Sequence, residues 1–559
     1  MKRKCVVPLC TTLILVALVQ TFADDTTDDS PVESTMVAMR DGVRLKTQVY
    51  LPKGSGPWPV ILARANTPID SYAAVASMVN AAGYVFVAQS TRGIAGSEGI
   101  NRLFLDDGWG EHQDGYDTLE WVAAQPWCNG KIGTAGHSAR GIIQFMMAGS
   151  VPPHLVCQWV KQAPCSLYEH MVYHGGVYRK AALDQFVRFM CPLVVRAYEL
   201  HPSDDLFWDR MNVQKRHPFI TTPTVHMGGW FDVFAQGTLD AFTGLQYRGG
   251  DGARGNQKLL MGPWLHGPFV NRAGDLTFPE NAIYSNQEYF ADYLSWFGYW
   301  LKGESSDYMD QPPVKYYTMG DVDDPDAPGN EWRAADDWPP GPFEEAKYYL
   351  NGDGGLRRTV PEETQSLSYD YDPDNPVSSS RPGRKVAALH HRAPFDQRFM
   401  EQRPDVLVFS TPPLDAPVEV TGRVTCHLWA SSSARDTDWV VKLMDVYPDG
   451  RSILILDGAL RARHRLSLTT EKFLEPGEVY EFTIDLWSTS IVFNKGHRIR
   501  VSVTSSSDPR FDPNPNTGHP FRADDERVVA HNAVYMGSKY PSHIVLPIPI
   551  GKASHDNEG

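Results

Sequence analysis

Lys131-Ile132-Gly133-Thr134-Ala135-Gly136-His137-Ser138-Ala139-Arg140-Gly141-Ile142-Ile143-Gln144-Phe145-Met146-Met147-Ala148 reads as a strand, a sharp turn and an apolar helix. Lys131–Ala135 is the strand, Ile142–Ala148 the helix, and a serine sits at the apex between them. A strand-to-helix turn of this kind exposes the serine hydroxyl and needs small residues where backbone segments approach closely. The helix start just beyond Ser138 favours negative charge developing there. The spacing departs from G-x-S-x-G, because Arg140 holds the fifth position and the second glycine falls at Gly141. Standing alone, the pattern also fits an ordinary glycine turn.

The flanking chain decides what kind of sheet this strand joins. Val43–Tyr50, Pro59–Ala63 and Gly83–Ala88 are short apolar runs, and Tyr116–Ala124 has helical spacing. Two more buried strands are expected at Thr224–Met227 and Lys258–Met261. Strands separated by helical patterns indicate an α/β domain built on a mostly parallel sheet. Residues 154–222 interrupt that sheet; their aromatic and helical patterns (Leu183–Phe189, Leu193–Leu200) predict a helical cap. After Pro339-Pro340 the period changes to two: Val406–Phe409, Val418–Leu428, Val440–Val446, Tyr480–Leu486 and Arg498–Val503 alternate, separated by turns such as Pro448-Asp449-Gly450. Many strands without intervening helices predict a β-sandwich or jelly roll.

A serine nucleophile needs a base and a group that orients the base. In α/β-hydrolases these follow the serine in the order acid, then histidine, on loops at the carboxyl ends of strands. Both downstream strands supply one. Thr224–Met227 leads into Gly228-Gly229-Trp230-Phe231-Asp232, and Lys258–Met261 into Gly262-Pro263-Trp264-Leu265-His266. The expected catalytic set is therefore Ser138, Asp232 and His266. His226 lies within a strand and is expected to be a packed core histidine. Asp114 and Asp117 precede the serine and suit helix capping or ion pairing.

Composition excludes other classes. The 559 residues carry 52 Lys plus Arg against 67 Asp plus Glu, a formal charge of −15. That disfavours a nucleic-acid binder or a polybasic membrane-surface protein. Lys2-Arg3-Lys4, an apolar stretch from Cys5 to Val19 and Thr21-Phe22-Ala23 make residues 1–23 a signal peptide, and residues 24–34 read as a disordered leader. A secreted or periplasmic protein without a membrane span in its mature chain is expected. Past the leader, Cys128, Cys157, Cys165, Cys191 and Cys426 show no metal-ligand spacing. A disulfide among Cys157, Cys165 and Cys191 and buried free thiols stand as equal alternatives. The acidic loop Asp321–Asp326 lacks the glycine and glutamate spacing of a calcium loop and is expected to be solvated. No metal and no cofactor is expected, since no dinucleotide, Walker or HExxH motif occurs.

The elbow Gly136-x-Ser138-x-x-Gly141, the stretch Asp114–Gly130, Gly229-Trp230-Phe231-Asp232 and Gly262-Pro263-Trp264-x-His266 together resemble the CocE/NonD hydrolases. That family spans cocaine-esterase-like, X-Pro dipeptidyl-peptidase-like and glutaryl-cephalosporanic-acid-acylase-like enzymes. Thr91-Arg92-Gly93 to Ser97-Glu98-Gly99, Asp449-Gly450-Arg451 and Arg510–Gly518 extend the likeness over nearly all of the chain after residue 23. The resemblance implies an α/β-hydrolase domain in two parts (35–153 and 223–340), a helical cap at 154–222 and a C-terminal jelly roll at 341–552. It also implies a small-molecule ester or amide as substrate, and it is compatible with a homo-oligomer. The family's oxyanion hole uses the N–H of the residue after the nucleophile, here Ala139, plus a tyrosine hydroxyl. Where that tyrosine would stand this chain has Ile69. Asn66, Thr67 and Tyr72 are the candidate replacements, and a catalytically weak relative acting as a binding protein is the alternative reading. Arg140 is expected to pair with an acid rather than to bind an anionic substrate. Val233, Phe234 and Ala235 follow Asp232, so recognition of a free substrate amine is not expected. Trp230, Phe231, Trp264, Tyr168, Tyr173 and Tyr178 are expected to line an aromatic acyl pocket or to pack in cores.

Overall fold

The computed structural model describes residues 33–550; the signal-peptide reading and the C-terminal end lie outside them. Ten strands form one sheet: β1 Glu33–Ala38, β2 Arg44–Tyr50, β3 Trp58–Ala65, β4 Val85–Ser90, β5 Cys128–His137, β6 Leu155–Lys161, β7 Thr224–Gly229, β8 Lys258–Gly262, β9 Val314–Thr318 and β10 Glu331–Ala335. Their order is β1-β2-β4-β3-β5-β6-β7-β8-β9-β10. The run from β4 to β9 is parallel, with antiparallel strands at both edges.

Buried parallel strands are apolar on both faces, and β3 shows why. Val60 and Leu62 pack with residues of α2 (Asp114–Ala123) and α3 (Ala139–Gly149). Ile61 and Ala63 pack on the opposite face with α1 (Ala73–Ala81) and a long helix, Asn286–Phe297. The sheet is thus closed on both sides, leaving the carboxyl ends of its strands to carry loops.

Two sequence expectations need correction. Leu155–Lys161 belongs to the sheet, pairing in parallel with β5 and β7, so the insertion begins after Lys161 rather than at His154. Glu33 and Ser34, read as the end of a disordered leader, pair with Val49 and Gln48 in β1–β2. The insertion is helical at both stretches expected, residues 180–190 and α4 Pro192–Glu199, and adds a small hairpin, Tyr173–His174 with Val177–Tyr178.

Beyond Pro339 a seven-stranded and a four-stranded antiparallel sheet form the β domain, their inner faces sharing a core. That core runs without a break into the hydrolase sheet through Trp230, Phe231 and Leu239. Backbone bonds from Met319 N to Ser490 O (3.0 Å) and from Val492 N to Met319 O (2.8 Å) join the two parts. The cap docks on the β domain as well: Gly175 accepts from Arg461 N at 2.9 Å, and a Cβ there would stand 2.1 Å from Ala459 O. All five cysteines among the described residues are free and buried. No helix among these residues is long and apolar enough to cross a membrane.

Candidate active site

Ser138 sits between β5 and α3 with φ 60° and ψ −124°, a backbone conformation that side chains rarely adopt. The two glycines make room for it. A Cβ on Gly136 would meet Arg140 Cβ at 2.7 Å, and one on Gly141 would meet Ala163 Cβ at 2.6 Å. Position 140 needs no glycine, because its side chain leads away to the Tyr72 hydroxyl, to which Nη1 donates at 2.7 Å. Among the described residues no carboxylate pairs with Arg140, which corrects the expected ion pair.

The loops after β7 and β8 are stitched to each other before they meet the serine. Trp230 N donates to Gly262 O (2.8 Å) and Phe231 N to Trp264 O (3.2 Å). A Cβ on Gly229 would lie 2.3 Å from Trp264 O, so only glycine allows this approach. The result places His266 Nε2 at 2.8 Å from Ser138 Oγ and His266 Nδ1 at 2.8 Å from Asp232 Oδ2. Asp232 is fully buried and also accepts from Phe234 N at 2.5 Å. The three residues chosen from sequence are brought together. His226 is not among them: it is sealed beside Phe145, bonded to Gln257 at 2.9 Å, and pushed down to about 3 by burial. Asp114 and Asp117 pair with Arg92 and Arg40, each at 2.7 Å.

Several residues that sequence reasoning passed over hold this geometry. Gln162 follows β6; its Nε2 donates to Leu265 O (2.7 Å) and its Oε1 accepts from Gly267 N (2.9 Å), one residue to either side of His266. The same Oε1 meets His137 Nε2 at 2.8 Å, and the His137 ring stacks on His266. From the β domain His390 Nε2 donates to His266 O (2.8 Å), and Arg392 Nη1 donates to Trp230 O (2.6 Å). From the cap Arg179 Nη2 donates to Val233 O (2.6 Å).

The electrostatics around the elbow are cationic. Lys161, whose carbonyl accepts from Ser138 N at 2.9 Å, is pushed down to about 8 by burial and then by nearby Arg140. Burial first, then Lys161, His266 and Arg140, hold His137 well below the ordinary histidine range, so it is neutral. As the first residue of α3, Ala139 has an N–H without an intrahelical acceptor. Ile69 is fully buried in an apolar cluster with Ala76 and Phe86 and offers no donor.

Residues 41–193 and 190–268 match the X-Pro dipeptidyl-peptidase (S15 family), and residues 306–545 match the X-Pro dipeptidyl-peptidase C-terminal non-catalytic domain. A cocaine esterase from Rhodococcus sp. (strain MB1 Bresler) is 34% identical to this chain, over 93% of it and 98% of the relative. The chain belongs to the CocE/NonD hydrolase family. It is a serine hydrolase. Its fold superposes on an aminopeptidase from a marine sediment Thaumarchaeota archaeon with a TM-score of 0.81 and 26% identity, covering 94% of this chain and 98% of the other. An α-amino acid ester hydrolase gives 0.79 and 25% identity over 94% and 100%.

Within this hydrolase the aromatic residues expected around an acyl pocket turn out to be structural. Trp230, Phe231, Trp264, Tyr168, Tyr173 and Tyr178 are all buried. Trp230 Nε1 donates to Tyr317 O (2.6 Å), Trp264 Nε1 to Ala282 O (2.8 Å) and Tyr173 Oη to Tyr198 O (3.0 Å). Phe234 does touch the site, edge-on to His266 with centroids 5.2 Å apart. The acidic loop is solvent-exposed over residues 323–326, as expected, while Asp321 bonds His497 at 3.1 Å and Asp323 pairs with Arg451, tying it to the β domain.

Proposed function

We propose that this hydrolase cleaves ester, and secondarily amide, bonds of small acyl compounds through an acyl-enzyme. Ser138 Oγ attacks the carbonyl carbon while His266 Nε2 takes its proton. Asp232 orients His266 and stabilises the imidazolium. The Ala139 N–H receives the oxyanion. His266 then returns the proton to the leaving alcohol or amine, and water repeats the sequence to release the acid. The observation that carries the reading is the unbroken 2.8 Å and 2.8 Å chain from Ser138 Oγ through the His266 ring to Asp232. The likeness to a cocaine esterase favours esters. The apolar residues after Asp232 give a substrate amine no counter-charge. Export rests on the basic, apolar and small-residue segments of residues 1–23, and N-terminal sequencing of the secreted form should begin at Asp24.

Labelling with a fluorophosphonate probe tests the chemistry directly. Wild type should be labelled and should turn over p-nitrophenyl butyrate, and Ser138→Ala should do neither. Absence of labelling and turnover in wild type would instead support the binding-protein reading that the loss of a tyrosine at Ile69 raises.

A further inference from the structure

Four buried cations converge behind the Asp232 loop: Arg179 from the cap and Arg392, Lys442 and Arg510 from the β domain, none more than 4% exposed. A carboxylate stands among them. Asp457 is fully buried; both its oxygens accept from Arg510, with Nη2 to Oδ1 at 2.9 Å, and Arg392 Nε lies 3.6 Å from Oδ1. Lys442 is placed by Gln397 Oε1 (3.1 Å) and Met400 Sδ (3.2 Å), and burial pushes it down to about 8. Asp485 is committed to Arg423 and Glu401 to Arg500. Arg179 and Arg392 are held by backbone carbonyls and lie over the Trp487 ring at 5.4 and 5.0 Å. Arg179 Nε and Arg392 Nε and Nη2 are buried with no hydrogen-bond partner among the described residues. Asp232 hydrogen-bonds the neutral His266 and so keeps its charge toward Arg179 and Arg392, which leaves three guanidiniums against two carboxylates, and a buried charge without a counter-charge is costly.

A cavity lies beside two of these guanidiniums, Arg179 and Arg510. Arg179, Arg510, His391, Ala182, Val233 and Leu389 line it, and it admits water-sized bodies over about 10 Å³. That is room for one water or one monatomic ion and too little for a carboxylate or phosphate group. His391 Nδ1 is bonded to Ser379 Oγ (2.8 Å), and burial with Arg510 nearby pushes the ring down to about 4, so it adds a neutral dipole.

We propose that this cavity is a halide site, taking chloride between Arg179 and Arg510. A chloride there would join cap to β domain and secure Arg179, which holds Val233 O one residue after Asp232. A water would satisfy the donors without compensating their charge.

The test starts from protein dialysed into sodium gluconate and titrated with sodium chloride or bromide at constant ionic strength. The melting temperature should rise and saturate, by about 2 °C or more, with either halide. Arg179→Gln should abolish the rise. Ala182→Val, which fills the cavity and keeps every charge, should raise the half-saturating halide concentration about tenfold or more. Wild-type crystals soaked in sodium bromide should show an anomalous peak between Arg179 and Arg510. Equal melting in gluconate and halide, or bromide-soaked crystals without that peak, would overturn the site. Neither readout depends on esterase activity, so the halide site and the proposed reaction succeed or fail separately.

Discussion

His137 stacks on His266, ring centroids 4.9 Å apart and planes inclined by 27°. Such a pair is tolerable only if one ring is uncharged, and burial beside Lys161 and Arg140 keeps His137 so. Gln162 fixes the stack by bonding His137 on one side and the backbone flanking His266 on the other. Replacing Gln162 by Leu keeps the volume and removes every one of these bonds. A base displaced by about 1 Å costs roughly 10²-fold in rate. Gln162→Leu should therefore lower kcat on p-nitrophenyl butyrate by about 10- to 100-fold with KM little changed, in a protein that still melts cooperatively.

The second oxyanion donor is the next question. Of the candidate replacements, Tyr72 is joined to the elbow: its hydroxyl accepts from Arg140, leaving its own proton to donate. Tyr72→Phe should reduce kcat by about 10²-fold, the cost of one oxyanion donor. An unchanged kcat would place the donor at Asn66 or Thr67. Because Ile69 is packed in the core, Ile69→Tyr should lower stability by about 1–3 kcal/mol and leave kcat no higher, read from urea unfolding and initial rates.

Ser138, Asp232 and His266 were legible in the sequence because each ends a glycine-bearing loop directly after an apolar run. That signal is local, as are the β5–α3 elbow and the alternation of the β domain. Leu155–Lys161 was not legible as a sheet strand: Gln158 interrupts its apolar run, and an aromatic insertion rather than a crossover helix follows it. With that strand misread, Gln162 at its end carried no signal at all. Arg179, Arg392 and His390 brace the site from the cap and the β domain, contacts that exist only once distant segments dock. Arg140 shows the same limit: an arginine on a turn implied an acid, and the fold supplied a phenol.

Lys161 gives a pH dependence with a definite sign. Its folded value is about 8 against 10.5 ordinarily, because burial disfavours the charged form. Between those values the unfolded chain binds a proton that the folded chain has released, so this group's contribution to stability rises with pH across the window. Below pH 8 the folded protein bears the cost of the buried charge. Lys161→Met should thus be more stable than wild type by about 1 kcal/mol at pH 7, the advantage shrinking toward pH 10. Urea midpoints of both proteins at several pH values measure it. A difference independent of pH would show that Lys161 does not titrate in this range.

Asp232→Asn separates orientation from architecture. The Asp232 loop is held by bonds that do not involve its carboxylate: Trp230 N to Gly262 O, Phe231 N to Trp264 O, and Arg392 and Arg179 on the carbonyls of Trp230 and Val233. The amide should keep the loop in place. It can, however, donate to His266 Nδ1, which drives the ring proton onto Nε2, where it blocks acceptance from Ser138 Oγ. Wrong-tautomer loss of this kind is worth about 10⁴ in kcat in serine proteases. The variant should therefore melt close to wild type while hydrolysis of p-nitrophenyl butyrate and the rate of fluorophosphonate labelling both fall by about 10³–10⁴. Because the probe needs only serine attack, equal losses in the two assays locate the defect at the Ser138–His266 proton transfer. A loss under tenfold would mean that Gln162, His137 and His390 hold His266 without help from Asp232.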